Sequence, residues 1–275
     1  MSDMTNISFD SLYCLFKGEP GTRKSTAALS FPRPQYWFSW DKKMVALALP
    51  MLKWGINPKD IQYDDYSDWN APLAKLRQLQ LNCPFRTLIL DSITSMADAT
   101  NRQTMKIKGD TGDKGGKVAG IPVNSIEDYK AEESAIGELI ALTKDIQSFH
   151  KVNIVIIAHV IQKEMKSPDG KTHFARLIVT AAKGSSQKLP ALSGEVYHFN
   201  INQQMDISKE GQYALLTTHT GDDFARTSLD LPSEIVFGSD PLYDKWIKPA
   251  AERMTKLLSQ QSQPKPSTTK STMSV

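Results

Sequence analysis

An α/β fold, with a mainly parallel sheet flanked by helices and antiparallel strands added at the C-terminal side, is what this sequence predicts. Apolar runs of strand length alternate with stretches of helical periodicity through the first 160 residues. A glycine-rich turn joins the first strand to the first helix, and after His159 the alternation gives way to short strands separated by turns. Alternation of this kind argues for right-handed crossovers that lay helices over a parallel sheet. A chain of 275 residues is long enough for one sizeable core.

In chain order, residues 12–16 form an apolar run suited to a strand buried on both faces. The glycine-rich turn follows, then a helix from about Lys24. A second strand, residues 36–40, comes after the breaks at Pro32 and Pro34 and ends at Asp41; a third, residues 87–90, ends at Asp91. Leu73, Leu76 and Leu79 recur at helical spacing between them. Ala135, Leu139, Leu142, Ile146 and Phe149 do so before the apolar run 152–158. Residues 101–125 carry Arg102, Lys106, Lys108, Lys114 and Lys117 among glycines, a composition that predicts a mobile basic loop. Ser167-Pro168-Asp169-Gly170 reads as a hairpin turn, with strands to follow around residues 175–179, 196–202 and 213–216. The layout is one domain over residues 1–258, with a disordered tail over 259–275 that is rich in Gln, Pro, Ser, Thr and Lys.

Composition excludes some classes. No run of about eighteen apolar residues occurs and no basic-then-apolar leader opens the chain, so neither a membrane span nor a signal peptide is expected and a cytoplasmic location is. Cys14 and Cys83 lack zinc-ligand spacing and imply no disulfide framework. A formal charge of +3 is too small to draw the whole molecule onto nucleic acid, which leaves that role to local basic patches.

The chemistry concentrates at Gly18-Glu19-Pro20-Gly21-Thr22-Arg23-Lys24-Ser25-Thr26, a strand-to-helix turn with the pattern of a phosphate-binding loop. Backbone N–H groups and the helix N-terminus are placed to hold ATP phosphate oxygens, Lys24 to neutralise them, and the Ser25 hydroxyl to ligate Mg2+. Arg23 departs from the pattern, which has glycine there. Either the loop shifts and the guanidinium adds charge near the nucleotide, or the motif is degenerate and hydrolysis is weak. Asp91 ends an apolar strand where a carboxylate holds magnesium through water, although a helix-capping Asp has the same sequence appearance. Asp41 is the candidate to position the attacking water, against simple pairing with Lys42 or Lys43. His159 ends its strand at the same sheet edge and is a candidate γ-phosphate sensor, against a structural histidine.

The phosphate loop, Asp91-Ser92, the Ile157-Ala158-His159 strand end and the later small strands together resemble RecA-like P-loop ATPases encoded by bacteriophages, including the single-strand annealing and recombination group. The resemblance covers roughly residues 10–240. It implies a water-assisting acid at Asp41, a polar strand-end residue at His159, and loops beyond His159 that face single-stranded DNA. Within residues 160–190 those loops carry Lys163, Lys166, Lys171, Arg176, Lys183 and Lys188, and mobile glycine-serine segments bearing lysine follow a phosphate backbone without reading sequence. A solvated charged surface is the alternative. The resemblance also implies a homo-oligomer, ring or filament, with Arg226 reaching the nucleotide of a neighbouring copy, against a salt bridge to Asp222 or Asp223. The function expected is ATP binding and hydrolysis coupled to single-stranded DNA in phage recombination or annealing. The alternative is a nucleotide-binding regulatory or phosphotransfer module with weak or no hydrolysis and no DNA role.

Overall fold

The computed structural model describes residues 9–110, 117–118, 121–122, 126–166, 172–180, 183–202, 212–220 and 223–261. In order these form β1 (Tyr13–Gly18), α1 (Lys24–Leu29), β2 (Gln35–Ser39), α2 (Ala48–Lys53), β3 (Ile61–Asp65), α3 (Asn70–Leu81), β4 (Thr87–Asp91) and α4 (Ile93–Asp110). The short β5 (Lys117–Val118) and β6 (Ile121–Pro122) follow, then α5 (Ile126–His150), β7 (Asn153–Lys166) and β8 (Thr172–Ile178). The chain continues through α6 (Lys183–Leu192), β9 (Glu195–Asn202), β10 (Gln212–Leu216), β11 (Glu234–Phe237) and α7 (Lys248–Gln261). Among the described residues no helix is long and apolar enough to cross a membrane.

The main sheet runs β11-β10-β9-β1-β7-β4-β2-β3, with β8 paired to β7. The strands from β9 to β3 are parallel to their neighbours, and β10 and β11 are added antiparallel. This is the α/β architecture the sequence predicts. Successive side chains of a strand point to opposite faces, so the sheet separates two apolar layers. Leu15, Phe38, Leu90 and Ile156 pack with Leu76, Met96, Ile136 and Leu139 of α3, α4 and α5. Phe16, Trp37, Ile89 and Val155 pack with Ala27, Ala28, Ile247 and Ala250 on the other side. Burial on both faces is why these strands read as continuous apolar runs. At one border of the sheet, residues 62–65 of β3 are exposed.

Three segments differ from the sequence expectation. Residues 101–110 are not loop: α4 runs unbroken to Asp110, because Met96, Ala97, Ala99 and Asn101 bury one face, and Asn101 donates to Glu132 of α5 at 2.8 Å. Side chains of residues 108–128 lie outside the described set. The Gly-Ser stretch from Lys183 forms α6 instead of a mobile loop, anchored by buried Leu189 and by the Lys188–Glu133 ion pair to α5. The apolar stripe of α5 ends before Phe149, which is 81% exposed. β7 and β8 do form the expected antiparallel hairpin, while its turn, residues 167–171, lies outside the described residues, as do residues 262–275 of the tail.

A Cβ at Gly18 would sit 2.4 Å from the backbone oxygen of Phe199 in neighbouring β9. A methyl group there must displace a main-chain ladder, so Gly18→Ala is expected to lower the unfolding free energy by about 1–3 kcal/mol, measured by chemical denaturation.

Candidate functional site

Parallel pairing brings the C-terminal ends of the central strands to one edge. Gly18 is in register with His159, Asp91 with Ile157, and Ser39 with Asp91. The loop leaving β1 therefore lies beside the carboxyl ends of β4 and β7, where open α/β sheets bind ligands. A cleft of about 280 Å³ is lined there by Pro20 to Thr26, Asp41, Lys43, Ala46, Leu47, Asp91 and His159.

Within the loop, Gly21 has φ 83°, and Arg23 is left-handed at φ 63°, ψ 24°. The left-handed conformation costs an L-residue about 1–2 kcal/mol. The Arg23 guanidinium stacks 4.0 Å from the centre of the Tyr213 ring and donates to the Gly238 carbonyl at 3.0 Å. A cation–π contact contributes about 0.5–2 kcal/mol, enough to offset much of that strain. The guanidinium is thus engaged by β10 and by the residue after β11.

Lys24 is buried, and its Nζ donates to the carbonyls of Gly18 at 2.8 Å and Glu19 at 2.7 Å, and to Thr22 Oγ1 at 3.2 Å. Burial pulls its pKa down to about 8, against Asp91, Asp41 and Glu19, which favour the charged form. Ser25 Oγ donates to Asp91 Oδ2 at 2.9 Å, joining the loop to β4. Burial raises the Asp91 carboxyl to about 6 even though the Ser25 hydrogen bond and the charge of Lys24 pull it down. Glu19, Pro20 and Thr26 complete the loop, with Thr22 Oγ1 bonded to the Glu19 carbonyl at 2.8 Å.

Asp41 lies two residues beyond β2 and accepts from Ser92 Oγ at 3.0 Å and from Ser95 Oγ. His159 Nε2 lies 3.4 Å from its second oxygen, and Lys43 Nζ at 3.9 Å. Burial pushes this carboxyl up, but the hydrogen bonds from His159, Ser95 and Ser92 together outweigh it and hold Asp41 well below the usual carboxylate range. The His159 backbone N–H is fixed by Thr94 Oγ1 at 3.1 Å. Asp41 and His159 thus form one unit instead of two independent residues. The hydroxyls that assemble it, Ser92, Thr94 and Ser95, were missed by sequence reasoning. Their only signal is an Asp-Ser-Ile-Thr-Ser run at a helix start, which also reads as ordinary capping.

The Ser25 hydroxyl and the Asp91 carboxylate are hard oxygen donors on adjacent elements and fit a magnesium ion. The raised Asp91 pKa adds to that fit, since a nearby divalent charge stabilises the ionised form. Among the described residues no three His, Cys, Asp or Glu side chains gather into a metal cluster. Such an ion would take its remaining ligands from phosphate and water.

The residues expected to face DNA fare unevenly. Lys163 is exposed on β7 past the point where that strand leaves the sheet. Arg176 is paired with buried Asp223 and Lys188 with Glu133. The side chains of Lys166, Lys171 and Lys183 lie outside the described residues. Arg226 donates to the carbonyls of Ala191, at 3.0 Å, and Ser193 and does not line the cleft, and Asp223 pairs with Arg176 instead of with it. Beneath the hairpin, Lys17 and His198 are also buried, with His198 Nε2 3.8 Å from Asp223 Oδ1. Burial lowers the pKa of both Lys17, to about 8, and His198.

A family model described as an AAA domain matches residues 11–229. Among solved structures, the fold is similar to a KaiC-like protein from the hyperthermophilic archaeon Pyrococcus horikoshii OT3, at 13% identity and a TM-score of 0.45, over 82% of this chain and 89% of that one. It is also similar to the RadB recombinase, at 13% identity and a TM-score of 0.46, over 78% of this chain and 84% of that one. A comparison with curated proteins found no match.

The Asp91 environment has a pH signature. A carboxyl raised from 3.8 to about 6 binds more protons folded than unfolded between those values, so its contribution to stability falls as pH rises through that window. Asp91→Asn is expected to remove this decline and to be more stable than the parent at pH 7 by about 3 kcal/mol, measured by denaturant titrations from pH 4 to 8.

Proposed function

The chain belongs to the AAA domain family, and from that premise we propose that it binds ATP with magnesium at the phosphate loop, hydrolyses it, and acts on single-stranded DNA in phage recombination or annealing. The observation that carries the nucleotide reading is the Ser25–Asp91 hydrogen bond, with buried Lys24 beside it, at the end of β1. It sets a magnesium-type donor pair one residue from the phosphate-neutralising cation.

Phosphoryl transfer to water needs positioning and charge neutralisation more than covalent chemistry. Loop N–H groups and Lys24 hold and neutralise the terminal phosphates. Ser25 and Asp91 would hold magnesium, which would supply Lewis-acid charge neutralisation to the phosphates. Asp41 is too weak a base to remove a proton efficiently, because its carboxylate is already stabilised by Ser92, Ser95 and His159. Its fixed oxygens are suited to orienting the attacking water. His159, hydrogen-bonded to Asp41 and lining the cleft, is suited to sensing the γ-phosphate and to passing its presence to the β7–β8 hairpin, whose pairing begins at the next residue, Val160.

The DNA reading rests on that hairpin. Lys163 is exposed on β7, Lys166 and Lys171 are close to it in sequence, and clustered lysines track phosphates without sequence preference. Arg226 does not line the cleft of its own chain, and the role proposed for it is contact with the nucleotide of a neighbouring copy, which requires it to release the Ala191 and Ser193 carbonyls it now holds. Non-hydrolytic nucleotide binding is the second reading, favoured by how fully the Asp41 carboxylate is occupied by its neighbours.

Lys24→Ala is expected to lower ATP affinity at least a hundredfold, or about 2.7 kcal/mol, in a chain that melts as the parent does. Calorimetric titration with Mg-ATP checks this, and unchanged affinity refutes the nucleotide reading. Replacing Lys163, Lys166 and Lys171 together by Ala is expected to weaken single-stranded DNA binding and to reduce its log–log salt slope by about 2, with ATP binding retained. An unchanged slope removes the hairpin from the DNA reading.

A further inference from the structure

The residue that breaks the phosphate-loop pattern is also the one that leaves the loop. Arg23 holds a left-handed backbone where glycine needs no help, and its carbonyl accepts the Ala27 N–H at 2.9 Å to begin α1. A rotation of Arg23 out of this conformation breaks that bond and displaces Lys24 and Ser25, the next two residues. The side chain that would otherwise favour another conformation is held from outside the loop, by the Tyr213 ring face and the Gly238 carbonyl.

Those two anchors lie on β10 and just past its paired neighbour β11. Tyr213 is in register with Phe237 across β10 and β11, with ring centroids 6.2 Å apart, and Phe237 stacks edge-on against Phe199 at 5.8 Å. Phe199 in turn packs at 4.9 Å on Phe16 in β1. The segment after Gly238 is tied to the end of α2 by the Trp54 indole N–H, which donates to the Ser239 carbonyl at 2.8 Å. The antiparallel strands are therefore braced against the sheet on one side and hold the loop on the other.

We infer that Arg23 is a positioning residue: clamped by Tyr213 and the Gly238 carbonyl, it sets the phosphate loop in its nucleotide-receiving geometry, so that the β10–β11 hairpin governs nucleotide affinity. This rests on the nucleotide reading of the site. It assigns the Arg23 guanidinium to the protein instead of to the phosphates, and it makes any event that moves β10 or β11 a change in affinity at the loop.

The test is a double-mutant cycle between Arg23→Gly and Tyr213→Ala, with Tyr213→Phe as the conservative variant, read by calorimetric titration with Mg-ATP. In the native background Tyr213→Ala is expected to raise the ATP Kd roughly tenfold, the equivalent of the strain the ring face offsets, and Tyr213→Phe to restore it. In the Arg23→Gly background the Tyr213 variants are expected to bind ATP alike, because glycine holds the backbone without an anchor. An equal loss in both backgrounds reduces Tyr213 to general support of the fold and overturns the inference. So does loss of ATP binding by folded Arg23→Gly, which would make the guanidinium a phosphate ligand. Failure of the native chain to bind ATP sinks the nucleotide reading instead. In that event denaturation midpoints of the same variants without nucleotide still read the clamp, and additive effects there overturn it.

Discussion

Everything at the cleft depends on the parallel register of β1 between β7 and β9. Gly18 aligns with His159 on one side and with Phe199 on the other, and the backbone of β9 passes so close that only a hydrogen fits on the Gly18 Cα. That contact fixes where β1 stops and hence where the loop begins. Shift it by one residue and Lys24 and Ser25 lose their places relative to Asp91, since strand side chains alternate with period 2. The apolar layers on both faces enforce the register, with Phe16 and Leu15 committed to opposite cores.

On this frame the charges are arranged in two tiers. Asp91 is partly buried, its carboxylate has one hydroxyl donor, and desolvation pushes it toward its neutral form, whereas Asp41 gathers two serine hydroxyls and a histidine that favour its ionised form. Two carboxylates on neighbouring strands thus have opposite tendencies, set by what donates to each. The first gains from an added cation. The second is already satisfied and serves best as a fixed acceptor.

The fold was largely legible because buried parallel strands leave long apolar runs, and because Gly18 and Gly21 mark the first turn. Lys24, Ser25 and Asp91 were legible for the same reason, being fixed by local spacing after a strand. The α4 extension was hidden by lysines and glycines beyond residue 105, since its helical state depends on packing against α5 that no local window contains. α6 was masked in the same way by Gly184 and two serines. The Asp41–His159 contact joins residues 118 positions apart, and Arg23 reaches 190 and 215 positions ahead to Tyr213 and Gly238. Periodicity does not encode such pairings; only the sheet order brings them together.

The border strand β3 bears on how copies of this molecule meet. A sheet border offers unpaired main-chain groups to any other border, and natural chains protect against that with charge. Here Asp64 and Asp65 stand at the exposed end of β3, with Asp64 also accepting from Tyr36 of β2. Two such borders brought together would set carboxylates against carboxylates. Growth of the sheet by strand addition is therefore disfavoured on that flank.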